Sequence, residues 1–265
     1  MSAIVASASA QASTPAVSSR FTYVLRLADA SLILAQQLGE LVGHAPALEE
    51  DLGLANVGLD LLGQARMLLT YAGEIEGSGR DEDALAFLRE HRDFLNPILV
   101  EQPNGDFGQT IVRQFLIDAW QLELYERLAQ SSDARLAGIA GKALKETRYH
   151  LRYSSNWLVR LGDGTQESKE RVQRALDRLW PYTTELFDPD AIDNEMMQAG
   201  VAPETAAVRA GWSAHVDAVL AEAKLQRPTD KSYLWYGKRG DHSEHLGRLL
   251  AEMQYLQRTY PGATW

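Results

Sequence analysis

The sequence predicts an all-α protein built on a four-helix bundle with additional C-terminal helices. Three observations carry this reading. Apolar residues recur at intervals of three and four along most of the chain after residue 20. The Val-Ile-Thr alternation of a half-buried strand is absent. The apolar stretches are cut by Gly77-Ser78-Gly79, Gln102-Pro103-Asn104-Gly105, Gly162-Asp163-Gly164 and Asp188-Pro189, all of them turn chemistry. No break has the length or composition of an interdomain linker, so 21–265 reads as one helical domain.

The elements follow in order. Residues 1–20 are rich in Ala and Ser and carry one basic residue, Arg20. A signal peptide needs a basic start and a compact apolar block, and a mitochondrial presequence needs several arginines. The segment is therefore expected to be a disordered extension. A first helix over about 22–43 is apolar on nearly every side, so it must be covered on every side. The second spans about 47–75, and a shorter one about 82–98. Long amphipathic helices follow at about 106–131 and 133–161. A short piece lies near 166–180, and two more helices at about 204–226 and 241–259. The 22–43, 47–75, 106–131 and 133–161 helices are the expected bundle members.

The bulk numbers bound the function. The chain has 265 residues, 45% of them hydrophobic, enough for a sizeable core without metals or disulfides. It has no cysteine. That removes disulfides, thiolate zinc sites, Cys-ligated iron–sulfur clusters and a cysteine nucleophile, and it fits a reducing, cytoplasmic location. The net charge of −10 offers no basic face for nucleic acid. No apolar run is long enough to cross a bilayer.

Each of the four long helices carries one carboxylate: Glu40, Asp60, Asp118 and Glu146. At 100° per residue, Asp118 shares a mostly apolar stripe with Ile111, Gln114, Phe115 and Tyr125. Glu146 shares one with Ile139, Lys142, Ala143, His150 and Tyr153, and Asp60 one with Asn56, Val57, Gln64 and Tyr71. For Glu40 the neighbours are Ile33 and Gln36. One carboxylate per helix is the layout of ferritin-like di-iron proteins, whose four helices supply Glu, Glu-x-x-His, Glu and Glu-x-x-His. The histidines do not follow. The second motif reads Asp60-Leu61-Leu62-Gly63, and the fourth reads Glu146-Thr147-Arg148-Tyr149 with His150 one place late. That single step rotates the ring by about 100° from the required direction. A di-iron centre needs carboxylates plus an imidazole for each iron, so these positions read as a vestigial site without metal. A salt-bridged network of Lys142, Glu146 and His150, one helical turn apart on one stripe, is favoured over metal.

Two further stretches stand out. Asp241-His242-Ser243-Glu244-His245 has the residue types of a metal cluster, but Asp241 or Ser243 before a helix is more simply an N-cap. Residues 233–240 mix aromatics with Lys238 and Arg239. Contact with an anionic ligand or an acidic partner is weighed there against a loop packed by its own aromatics, and the loop is favoured.

Several long motifs resemble one family. They are Glu49-Glu50-Asp51-Leu52-Gly53-Leu54-Ala55-Asn56-Val57-Gly58-Leu59-Asp60, Val100-Glu101-Gln102-Pro103-Asn104-Gly105-Asp106-Phe107, and Lys145-Glu146-Thr147-Arg148-Tyr149-His150. The tail from Gly237 to Trp265 belongs with them. All are similar to the C subunit of bacterial phenylacetyl-CoA epoxidases, over about 22–265. The resemblance implies a ferritin-like fold and a role in phenylacetate breakdown. It implies a structural subunit that pairs with a homologous di-iron catalytic subunit, a bridging subunit, and a reductase using NADPH. It implies no cofactor in this chain and no catalytic residues, since Gly63 and Tyr149 stand where ligands would be. Two rival readings are a self-sufficient di-iron oxygenase with unusual ligands and a plain helical interaction protein. Self-association of the chain when alone is a further expectation.

Overall fold

A computed structural model describes residues 18–231 and 235–263. Its elements are helical throughout, and no strand occurs among the described residues. In chain order they are α1 (Ser19–Leu41), α2 (Leu48–Glu76), α3 (Glu82–Phe87), α4 (Ile98–Glu101), α5 (Phe107–Leu128), α6 (Ala134–Gly162), α7 (Gln166–Leu179), α8 (Ala191–Gln198), α9 (Thr205–Glu222), α10 (Glu244–Met253) and α11 (Tyr255–Thr259). Short 3₁₀ turns occupy His91–Asp93, Trp180–Phe187 and Gly237–Arg239.

Two hairpins make the bundle. α1 packs along α2, α5 packs along α6, and α2 also meets α6. The expected bundle members are thus the observed ones, with ends displaced by one to a few residues. The starts are set by caps. Ser18 Oγ accepts from Phe21 N at 3.1 Å, and Asp106 Oδ1 accepts from Gln109 N at 2.9 Å. Asp133 Oδ1 accepts from both Arg135 N and Leu136 N. Each cap satisfies donors that the first helical turn leaves without intrahelical partners. The apolar girth of α1 is explained by its neighbours, α2, α4, α8 and α10, which cover it. α9 lies on α5, and a single buried apolar cluster runs through the bundle and its flanking helices.

Four expectations need correction. The segment expected to be a disordered extension loses 18–20 to the cap and first turn of α1, while 1–17 lie outside the described residues. The helix expected over 82–98 breaks after Phe87. Arg89 turns back to bond the Leu85 and Asp93 carbonyls, a Glu90–Asp93 capping box starts a new turn, and Pro97 holds Asn96 out of the helical region. Residues 191–198 form a helix that spacing alone did not show; Asp190 and Asp193 cap it reciprocally. The last helix starts at Glu244, not 241, because Ser243 caps it.

Candidate functional site

The polar centre of the bundle lies where α2, α5 and α6 face each other. Asp118 on α5 is fully buried. Its Oδ1 accepts from Gln114 Nε2 and its Oδ2 from Ser154 Oγ on α6, both at 2.7 Å. Burial pushes its pKa up to about 6, against the pull of His150 and the two donors. His150 on α6 is also fully buried, and its Nε2 lies 3.1 Å from Asp60 Oδ2 on α2. The other ring nitrogen, Nδ1, has no partner. One turn earlier, Glu146 is half-buried and its Oε2 accepts from Gln64 Nε2 at 3.0 Å.

Three of the four predicted carboxylates therefore reach the centre, but they do not converge on one point. Asp60 takes His150, Glu146 takes the Gln64 amide, and Asp118 has a donor on each oxygen. Glu40 is a correction: it is exposed in the last turn of α1. The neutral girth of α1 gave the 3.6-residue period no direction there. The Lys142 network is a second correction. Lys142 is exposed, and no ion pair joins it to Glu146. The histidine's partner is Asp60 across the helix interface, not its own stripe. Tyr149 is 46% exposed, and Gly63 faces open space. Among the described residues, no group of three or more His, Asp or Glu stands close enough to hold a metal ion. The donor set does not fit a dinuclear centre, because each carboxylate is directed at its own protein partners and none is shared.

A second polar cluster escaped the sequence reading. Glu101 and the His242 ring are both fully buried. Glu101 Oε2 lies 2.8 Å from His242 Nδ1, and its Oε1 accepts from Ser243 N at 2.6 Å. His242 Nε2 lies 2.7 Å from the Phe94 carbonyl. With an acceptor on each nitrogen, the ring is held as the imidazolium. Burial alone would lower its pKa, but Glu101 and the Phe94 carbonyl outweigh that and raise it. Glu185 sits beside this pair and accepts from Ile98 N at 2.9 Å and Lys238 N at 2.8 Å. Burial raises its pKa to about 7. The partners lie 141 positions apart, a pairing no local spacing reveals. The sequence signals were a lone Glu ending the apolar run Ile98-Leu99-Val100 and the His242 of the 241–245 stretch, with nothing local to join them.

The 241–245 stretch is thus a cap plus a buried pair: Ser243 Oγ accepts from His245 N. In the 233–240 loop, residues 233 and 234 lie outside the described residues. Lys238 is turned inward onto Asp193 Oδ2 at 2.8 Å. Arg239 lies 3.8 Å from Asp190 and stacks on Tyr236, 4.7 Å from its ring centre. Both cations are neutralised within the fold.

The comparisons with known proteins agree with this architecture. The sequence matches the family described as "Phenylacetic acid catabolic protein" over residues 1–265. It is 55% identical, over 243 residues, to the C subunit of the 1,2-phenylacetyl-CoA epoxidase of Escherichia coli K12, covering 92% of this chain and 98% of that one. Its fold resembles that of a Synechococcus protein with aldehyde deformylating oxidase activity, at a TM-score of 0.54. That match covers 88% of this chain and 99% of the other, at 16% identity, and it speaks for the fold alone. By sequence along its whole length, the chain is a member of the phenylacetic acid catabolic protein family.

Proposed function

We propose that the chain is a structural, non-catalytic subunit of a phenylacetyl-CoA epoxidase complex in aerobic phenylacetate catabolism. It supports a homologous subunit that holds the di-iron centre, and it works alongside a bridging subunit and a reductase. The family and the near full-length likeness to an epoxidase C subunit support the assembly. The observation that carries the supporting role is the dispersal of the carboxylates: each is directed at its own protein partners, where a di-iron centre needs them shared between two metals. This chain contributes no cofactor and no catalytic group; its metal positions Asp60, Asp118, Glu146 and His150 hold helices together.

The test is metal analysis of the chain purified from iron-rich cells, followed by turnover assays with and without the di-iron subunit. Well below one iron per chain, and turnover only when the partner is present, is the expected result. About two irons per chain, lost when Asp60 and Glu146 are replaced by amides, would establish the self-sufficient oxygenase instead.

A further inference from the structure

A pocket separate from the Asp60–His150 centre opens beside α1 and α5. The 180–187 turn and the start of α9 complete its wall, and among the described residues none of α2 or α6 lines it. It holds about 90 Å³ and is open to solvent on one side. That volume is about three times the share of one water in the liquid, and it is less than the ~150 Å³ that admits benzene. Leu27, Leu124, Leu186 and Val208 form its floor and are all buried. Trp120 and Ala202, both partly exposed, stand at its mouth. A largely apolar hollow with a few polar groups converging on it is the usual form of a small-molecule site.

The charges on the wall select against an ion. Arg26 is held by Asp190 at 2.6 Å, by Asp193 at 3.2 Å and by the Lys238 carbonyl at 3.1 Å. Lys238 is held by Asp193 at 2.8 Å and by the Asp188 carbonyl. Glu185 accepts from two backbone N–H groups, and Asp188 from the Tyr236 hydroxyl. A charged ligand would find every counter-charge taken and would be desolvated without a partner. One polar group on the wall is free. Tyr23 on α1 is 6% exposed, and its hydroxyl makes no hydrogen bond among the described residues. The hydroxyl is not sealed in the core, and Tyr23 lines the pocket. Burial and Asp193 hold its pKa far above the ordinary phenol value, so it is a donor throughout the physiological range.

We propose that this pocket binds a small uncharged molecule: an apolar body of about five carbons with one acceptor oxygen, of the ketone type, that takes the Tyr23 hydrogen bond. Each part of that description has its own cause. The volume sets the size of the body, and the leucine and valine floor makes it apolar. The occupied charges exclude carboxylates and phosphates. A donor with no acceptor of its own calls for an oxygen. The bound molecule touches α1, α5 and α9 together, so occupancy should raise the Tm as well.

Cyclopentanone is the probe, with cyclopentane and cyclopentanecarboxylate beside it. The indole N–H signal of Trp120, assigned by its loss in Trp120→Phe, should shift saturably with cyclopentanone in the nitrogen-15 correlation spectrum of the full chain. Tyr23→Phe should weaken cyclopentanone about three- to tenfold, the worth of one hydrogen bond, and leave cyclopentane unchanged. That variant should be as stable as the wild type, since the hydroxyl has no partner to lose. Ala202→Phe, at the partly exposed mouth, should abolish binding of both. Cyclopentanecarboxylate should not bind. The proposal fails if no probe gives a saturable shift, if Tyr23→Phe weakens both probes alike, if Ala202→Phe weakens neither, or if the carboxylate binds as tightly as the ketone. A Trp120 signal that moves only when another subunit is added would make the pocket a protein contact instead.

Discussion

Replacing Asp118 by Asn should relieve a loss of about 3 kcal/mol at pH 8 and of only about 1 kcal/mol at pH 4.5. Asp118 is fully buried, and its pKa stands at about 6 against an ordinary 3.8. The folded chain holds a proton that the unfolded chain has already released. Its contribution is complete below the unfolded pKa and is lost as the pH rises through about 6. At 1.36 kcal/mol per pKa unit, the loss amounts to about 1 kcal/mol at pH 4.5 and about 3 kcal/mol at pH 8. Asn keeps the shape and cannot ionise. Its carbonyl accepts from one donor, and its amide can turn to Gln114 Oε1, which is buried without a partner. The assay is urea unfolding of both proteins from pH 4.5 to 8.5. Glu185, raised to about 7 by burial, gives a slope of the same sign in both, so the difference between the two curves isolates Asp118. The difference should move by about 2 kcal/mol in favour of the variant across that range. A flat difference would mean that Asp118 is ionised in the fold and is paired more strongly than its two hydrogen bonds show.

Two further substitutions probe the buried ionic pairs. Arg89→Met strips the guanidinium from fully buried Asp29, leaving it only the Leu95 N–H at 2.8 Å; a loss of about 3–5 kcal/mol is expected by urea unfolding, and a loss under about 1 would show that the pair adds little. His242→Gln leaves Glu101 as a buried charge facing a neutral amide. It should cost about 2–4 kcal/mol at pH 6 and less at alkaline pH, because the raised pKa of His242 makes its contribution one that fades as the pH rises through it. An effect of His242→Gln that grows with pH would contradict an imidazolium at that position.

The bundle was legible because its helices are long and their stripes repeat many times. His150 lies on an inward stripe because α6 has a distinct wet side, and Asp118 lies inside because residues 108–119 of α5 are buried on every side. Glu40 was misplaced, because α1 is covered on every side and offers no polar face to fix its rotation. The break after Phe87 was hidden by helix-forming residues whose local preference yields to one buried contact, Arg89 with Asp29. The Glu101–His242 pair was invisible for a similar reason. Its partners reach each other only once α4 and the start of α10 have docked. Sequence period reports how one helix meets an apolar core; it does not report which polar group across the core will be its partner.

That distinction also explains why a bundle would keep polar groups at its centre when they do not share a metal. Apolar stripes on α2, α5 and α6 can slide along one another by a turn at little cost, because one leucine replaces another. The hydrogen bonds cannot. Asp60 to His150 and Gln64 to Glu146 are consecutive turns of one antiparallel pair, so they fix the register of α2 on α6. Asp118 to Ser154 fixes α5 on α6 in the same way. Shifting either helix by one turn would leave a buried carboxylate or imidazole without its partner, at a cost of several kcal/mol. The polar centre therefore selects one arrangement of three helices.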